Sequence, residues 1–164
     1  MTPLVVLACG NPSRGDDAIG PALLARIAKA FPELPTVEDF QFQVEHVLDM
    51  EEAALVLFLD AGTGDLPPIS FTEVFPHKDT GSASTHAMEP SGLLAVFETV
   101  VGRAPPPAFV FCVRGETFGL GEPMSEAAVA RLDEAWPLLG ELCETPDAEI
   151  WRARVTVPSS APRA

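Results

Sequence analysis

Two adjacent carboxylates, Asp16 and Asp17, follow the amino-terminal run Leu4-Val5-Val6-Leu7-Ala8-Cys9 across the short segment Gly10-Asn11-Pro12-Ser13-Arg14-Gly15. The pattern reads as a buried strand, a tight loop and a helix N-terminus, where the helix dipole favours acidic residues. One aspartate there is explained as a helix cap. Two neighbouring carboxylates repel unless a cation lies between them, and Arg14 or a metal ion could be that cation. A third carboxylate, Asp60, ends the apolar run Leu55-Val56-Leu57-Phe58-Leu59, and an imidazole, His86, follows the polar stretch His77 to Thr85. Together Asp17, Asp60 and His86 would offer two carboxylate oxygens and one imidazole nitrogen. That is a partial shell for a divalent transition metal, with coordination positions left for a substrate. Each residue also has an ordinary reading, Asp17 as a cap and His86 as a structural or exposed histidine; Asp60, closing a wholly apolar strand, has the fewest. Asp16 is expected to orient the loop through backbone N–H groups with Arg14 neutralising it, and His46 and His77 read as surface histidines.

Elements must bring these positions together. After the first strand, Ile19, Leu23, Leu24, Ile27 and Phe31 make a helical stripe, ended by Pro32 and Pro35. Residues 36–42 read as an outer strand, 45–53 as a short helix, and 55–59 as a central strand apolar on both faces, which implies helices on both sides of a parallel sheet. Residues 70–75 alternate as an edge strand, 89–101 form a second amphipathic helix, and 108–113 another buried strand. A glycine-rich loop, 115–123, leads to Ser125 as the cap of a helix over 126–142, in which Pro137 is expected to introduce a kink. The expected architecture is therefore an α/β three-layer sandwich with a mainly parallel, twisted sheet of about five strands flanked by helices. Residues 1–146 form one domain; 147–164 form an extension, with a strand expected over 149–157 and a frayed end. In such sheets ligands gather at the carboxyl ends of strands, where the strand order switches. The first strand delivers Asn11, Asp16 and Asp17 to that edge, the central strand delivers Asp60, and the loop with His86 opens on it.

The string Gly10-Asn11-x-x-x-x-Asp16-Asp17-x-x-Gly20, then Val56-Leu57-Phe58-Leu59-Asp60-Ala61-Gly62, then Thr85-His86 ahead of a helix, resembles the hydrogenase maturation proteases. These are nickel-dependent endopeptidases that trim the C-terminus of the NiFe-hydrogenase large subunit. A weaker echo lies in residues 113–121, so the resemblance spans residues 4 to 142. It implies that Asp17, Asp60 and His86 are both the catalytic and the nickel-contacting positions, with Gly10, Asn11, Asp16 and Gly20 building the supporting loop. It also implies that nickel is supplied by the hydrogenase large-subunit precursor, held by that partner's cysteines, and not kept permanently by the protease. Cleavage then reports completed metal insertion. A neutral His86 is required for ligation, so activity is expected to fall below about pH 6. Two departures stand out. Asp17 replaces the Glu of many relatives and is one methylene shorter, and Gln41-Phe42-Gln43-Val44-Glu45 lacks their Asp-Gly-Gly segment, which bears on substrate subtype.

Other chemistries fit less well. Gly81-Ser82-Ala83-Ser84-Thr85 is not a G-x-S-x-G nucleophile elbow, HExxH is absent, and Cys9 and Cys112 lie in buried strand patterns. Gly10-Asn11-Pro12 after a first strand also resembles the start of the peptidyl-tRNA hydrolases. A net charge of −14 and the absence of tyrosine suit RNA poorly. The same charge disfavours nucleic acid and anionic membranes as partners and favours a basic protein surface. A non-cleaving metallocentre checkpoint protein of the same fold is the alternative to the protease. Three widely spaced cysteines without a C-x-x-C pair indicate reduced thiols and a cytoplasmic protein. No signal peptide or membrane-spanning run is read in the chain, and a monomer is expected.

Overall fold

Four parallel strands and one antiparallel edge strand make the sheet at the centre of the computed structural model, which describes residues 2–78 and 88–156. The strands are Val5–Cys9 (β1), Thr36–Asp39 (β2), Val56–Gly62 (β3), Ile69–Val74 (β4) and Ala108–Arg114 (β5). Their order is β2-β1-β3-β5-β4, with β4 antiparallel to β5. The run 55–59 is thus the middle strand, as its two-sided apolarity requires, and the α/β three-layer architecture is the one expected.

Each face of the sheet carries its own core. Helices Ile19–Ala30 (α1) and Glu126–Glu144 (α4) cover Val6, Ala8, Leu57 and Leu59. Val47–Met50 (α2) and Pro90–Val101 (α3) cover Val5, Leu7, Val56 and Phe58. The alternation follows from the two-residue repeat of a strand. Helix starts match their chemistry: Pro90 opens α3, and the Ser125 hydroxyl accepts the Ala128 N–H at 3.1 Å at the head of α4. α4 continues through Pro137. The chain leaves β1 towards β2 on one side and later returns to place β3 on the other, so the strand order switches between β1 and β3.

The strand expected over 149–157 is not formed. Ala148–Arg152 is a helix (α5) instead. Asp147 starts it by accepting the Ile150 N–H at 3.1 Å, and Trp151 is fully buried against Phe71 and Phe109. The Trp151 indole N–H donates to the Leu142 and Thr145 carbonyls, satisfying groups left free at the end of α4. Helix capping and one large aromatic outweigh the alternating pattern there. Thr156 then donates its N–H to the Phe71 carbonyl and accepts the Phe71 N–H at its hydroxyl, closing the outer edge of β4.

Candidate active site

β1 stops at Gly10, whose φ of 147° lies where side chains are strained; a Cβ there would stand 2.0 Å from the Asp17 carbonyl oxygen. Residues Gly15–Ala18 form a separate 3-10 turn, and α1 begins after it with no side-chain cap. Neither aspartate is therefore a helix cap. Asp17 Oδ2 accepts the Asn11 N–H at 2.6 Å, and Asn11 Oδ1 accepts the Ser13 N–H at 2.8 Å, so the loop is closed by its own side chains.

Asp16 turns the other way. It is fully buried and accepts the N–H groups of Glu116, Thr117 and Ser125 at 2.6, 3.2 and 2.7 Å, and the Ser125 hydroxyl at 2.7 Å. Burial alone would raise its pKa, but these donors outweigh that penalty and hold the carboxyl below the usual carboxylate range. Asp16 is expected from the sequence to orient its own loop, but the loop its carboxylate holds is the distant one between β5 and α4. Arg14 is exposed and makes no ion pair among the described residues, so it does not neutralise Asp16. The adjacent carboxylates avoid repulsion by diverging into separate sets of backbone donors.

Gly20 sets how closely this loop approaches the sheet. A Cβ at Gly20 would lie 2.5 Å from the Cys9 carbonyl oxygen and 3.2 Å from that of Leu59. The start of α1 thus rests on the carboxyl ends of β1 and β3, and Asp17 faces the end of β3, where Asp60 stands. Asp60 Oδ1 accepts the Ala61 N–H at 2.8 Å and the Cys9 thiol at 3.5 Å. Desolvation raises the Asp60 pKa to about 6, the Ala61 and Cys9 hydrogen bonds lower it, and the charges of Asp17 and Glu89 add to the rise. Near neutral pH this carboxyl can hold or release a proton, as acid–base work requires. Cys9, Cys112 and Cys143 are unpaired, and burial pushes all three thiols up, Cys112 to about 11 and Cys143 to about 12.

Beside Asp60 lies a cleft of about 390 Å³ lined by Cys9, Phe42, Met88, Glu89 and Val110. Its outer wall is the turn after β2. Asp39 accepts the Phe40 N–H at 2.7 Å, and His46 Nε2 lies 3.3 Å from Asp39 Oδ2. His46 Nδ1 accepts the Gln43 N–H at 2.8 Å, which leaves Nε2 as the ring nitrogen nearest the Asp39 carboxylate. His46 is only 5 % exposed, which corrects its reading as a surface histidine. The signal was present in Gln43-x-x-His46, the spacing at which a side chain reaches back to the start of a helical turn. His77 is exposed as expected. His86 and Thr85 lie outside the described residues, and among the described residues no group of three or more His, Cys, Asp or Glu side chains is placed to hold a metal. Asp17 and Asp60 offer hard oxygen donors, which suit a divalent cation that brings other ligands with it.

Solved structures with a similar fold are informative. The chain superposes on the NiFe-hydrogenase maturation protease HycI from Thermococcus kodakarensis KOD1 with a TM-score of 0.67, 24% identity, and coverage of 88% of this chain and 94% of that one. Its fold is that of the hydrogenase maturation proteases. The hydrogenase maturating endopeptidase HybD from E. coli aligns with a TM-score of 0.69 at 18% identity, covering 88% of this chain and 94% of that one. A hydrogenase 2 maturation peptidase from Thaumarchaeota archaeon SCGC_AB-539-E09 aligns with a TM-score of 0.58 at 20% identity, over 87% and 99% of the two chains. No family model and no curated protein matches the sequence. The superpositions on maturation proteases cover 83% to 88% of the chain.

Proposed function

We propose that the protein is a nickel-dependent endopeptidase that removes a C-terminal peptide from the NiFe-hydrogenase large-subunit precursor after metal insertion. The observation that carries this reading is Asp60, half-buried at the carboxyl end of β3, beside Asp17 and open to a cleft. The likeness to maturation proteases supplies the substrate class. Nickel enters as part of the substrate, held by the precursor's thiolates, and Asp17, Asp60 and His86 are the groups that contact it. A bare carboxylate–imidazole site would select copper over nickel, so selectivity rests with the precursor. The chemical step is hydrolysis of one amide, with the scissile segment lying in the cleft beside Asp60. The unpaired thiols suit action in the cytoplasm.

The test is mass spectrometry of a nickel-loaded large-subunit precursor incubated with the full chain and with Asp60→Asn and His86→Ala. Loss of one defined C-terminal peptide is expected with the wild type, with both variants reduced at least about 100-fold. A precursor that binds but stays intact would leave a non-cleaving checkpoint protein instead.

A further inference from the structure

Cys9 and Asp60 occupy neighbouring strands on the same face of the sheet. Ala8 pairs with Leu59 in the β1–β3 register, so the next step places Cys9 beside Asp60. The Cys9 sulfur stands 3.5 Å from Asp60 Oδ1, which also accepts the Ala61 N–H at 2.8 Å. Two donors on one oxygen oppose rotation of the carboxylate, and no hydrogen bond to Oδ2 is formed among the described residues. Cys9 and Asp60 line the same cleft. On the other flank Cys112 is in register with Asp60 but makes no hydrogen bond to it among the described residues.

We infer that Cys9 is a positioning residue for Asp60: its thiol, with the Ala61 N–H, holds Oδ1 so that Oδ2 is presented to the substrate in the cleft. The inference rests on the proposed function for the identity of the substrate, and on geometry alone for the contact. A thiol suits this place because it is small enough for a strand packed beside other strands and is a donor in its neutral form. An aliphatic residue would fill the space and leave one face of Oδ1 without a donor.

The experiment compares Cys9→Ala, Cys9→Val and Cys9→Ser on the nickel-loaded precursor, with Cys143→Ala as a control for loss of a core thiol away from the cleft. Cys9→Ala and Cys9→Val are expected to lower kcat roughly tenfold with KM unchanged, a hydrogen bond to a charged group being lost. Cys9→Ser should recover most of that loss, because a hydroxyl restores the donor; a merely structural role would not separate Ser from Ala in kcat. In Asp60→Asn background, Cys9→Ala should add little further loss. Independently of activity, the infrared S–H stretching band that disappears in Cys9→Ala should lie at lower frequency than that of Cys143 and move upward in Asp60→Ala. Wild-type kcat in folded Cys9→Ala, Ser acting no better than Ala, or an unshifted S–H band would overturn the role of Cys9. A wild type that leaves the precursor intact would overturn the protease reading, and the infrared result would still decide whether Cys9 holds Asp60.

Discussion

Asp16 and Asp17 are neighbours in the chain and do unrelated work. Asp16 is a buried tie between two loops, and its four donors make it irreplaceable by an amide, because an Asn side chain would turn an N–H₂ towards N–H groups. Asp16→Asn is expected to cost about 2–4 kcal/mol, read as a lowered urea midpoint. Asp17 holds only the Asn11 N–H of its own loop. Its charge reaches Asp60 at the same edge, where it adds to the rise in the Asp60 pKa. Sequence patterning signalled two carboxylates at a loop-to-helix junction, with Asp17 as a cap or metal contact and Asp16 as a tie within that same loop. Their divergence depends on the donors of residues 116–125, about a hundred positions away, which no local pattern encodes.

At the level of elements, the carboxyl edge is built by α1 pressing on β1 and β3 through Gly20, and by the β5–α4 loop pinned to Asp16. The C-terminal helix α5 serves the opposite end of the same layer. Trp151 stacks edge-on against Phe71 and Phe109 at 5.6 and 5.2 Å between ring centroids and joins the core covered by α1 and α4. Trp151→Ala should destabilise the protein by about 3–5 kcal/mol, since it leaves a cavity and frees the carbonyls of Leu142 and Thr145. Chemical denaturation would measure it, and a change under about 1 kcal/mol would mean that the segment is a dispensable appendage. Arg152, paired with Glu73 on β4, and Thr156, paired with Phe71, tie the same segment to the edge strand.

For the whole molecule, stability and function pull on Asp60 in opposite directions. Its pKa is raised from 3.8 to about 6, so between those values the folded state keeps a proton that the unfolded chain has released. Stability therefore falls as pH rises from about 4 to 6, then levels off. Asp16 acts with the opposite sign. Its pKa is lowered, so its contribution is complete above the ordinary carboxylate value and is lost as pH falls below it. Thermal unfolding should accordingly be most resistant at about pH 4–5. In Asp60→Asn the decline towards neutral pH should be much smaller, leaving a variant that is more stable at pH 7 and less active. The net charge of −14 adds self-repulsion on the same side, so added salt should raise the unfolding temperature at pH 7 in wild type and variant alike.

What the sequence by itself determined was the set of elements and the edge they share. Apolar runs at 4–9, 55–59 and 108–113, separated by amphipathic helices, leave few arrangements other than a mainly parallel sheet covered on both faces, and Asn11, Asp17 and Asp60 then fall at its carboxyl edge. Local chemistry sufficed for the Ser125 cap as well. Only the tertiary structure decided which side chains share partners. The Cys9–Asp60 contact joins residues 51 positions apart, the Asp16 tie spans 100 to 109, and the Trp151 packing crosses from the last helix to β4 and β5. His46 was decided in the same way, by Asp39 at the end of a neighbouring strand. Periodicity reports which face of an element is buried; the partner of a polar group depends on register and strand order, and these are settled only when the sheet closes.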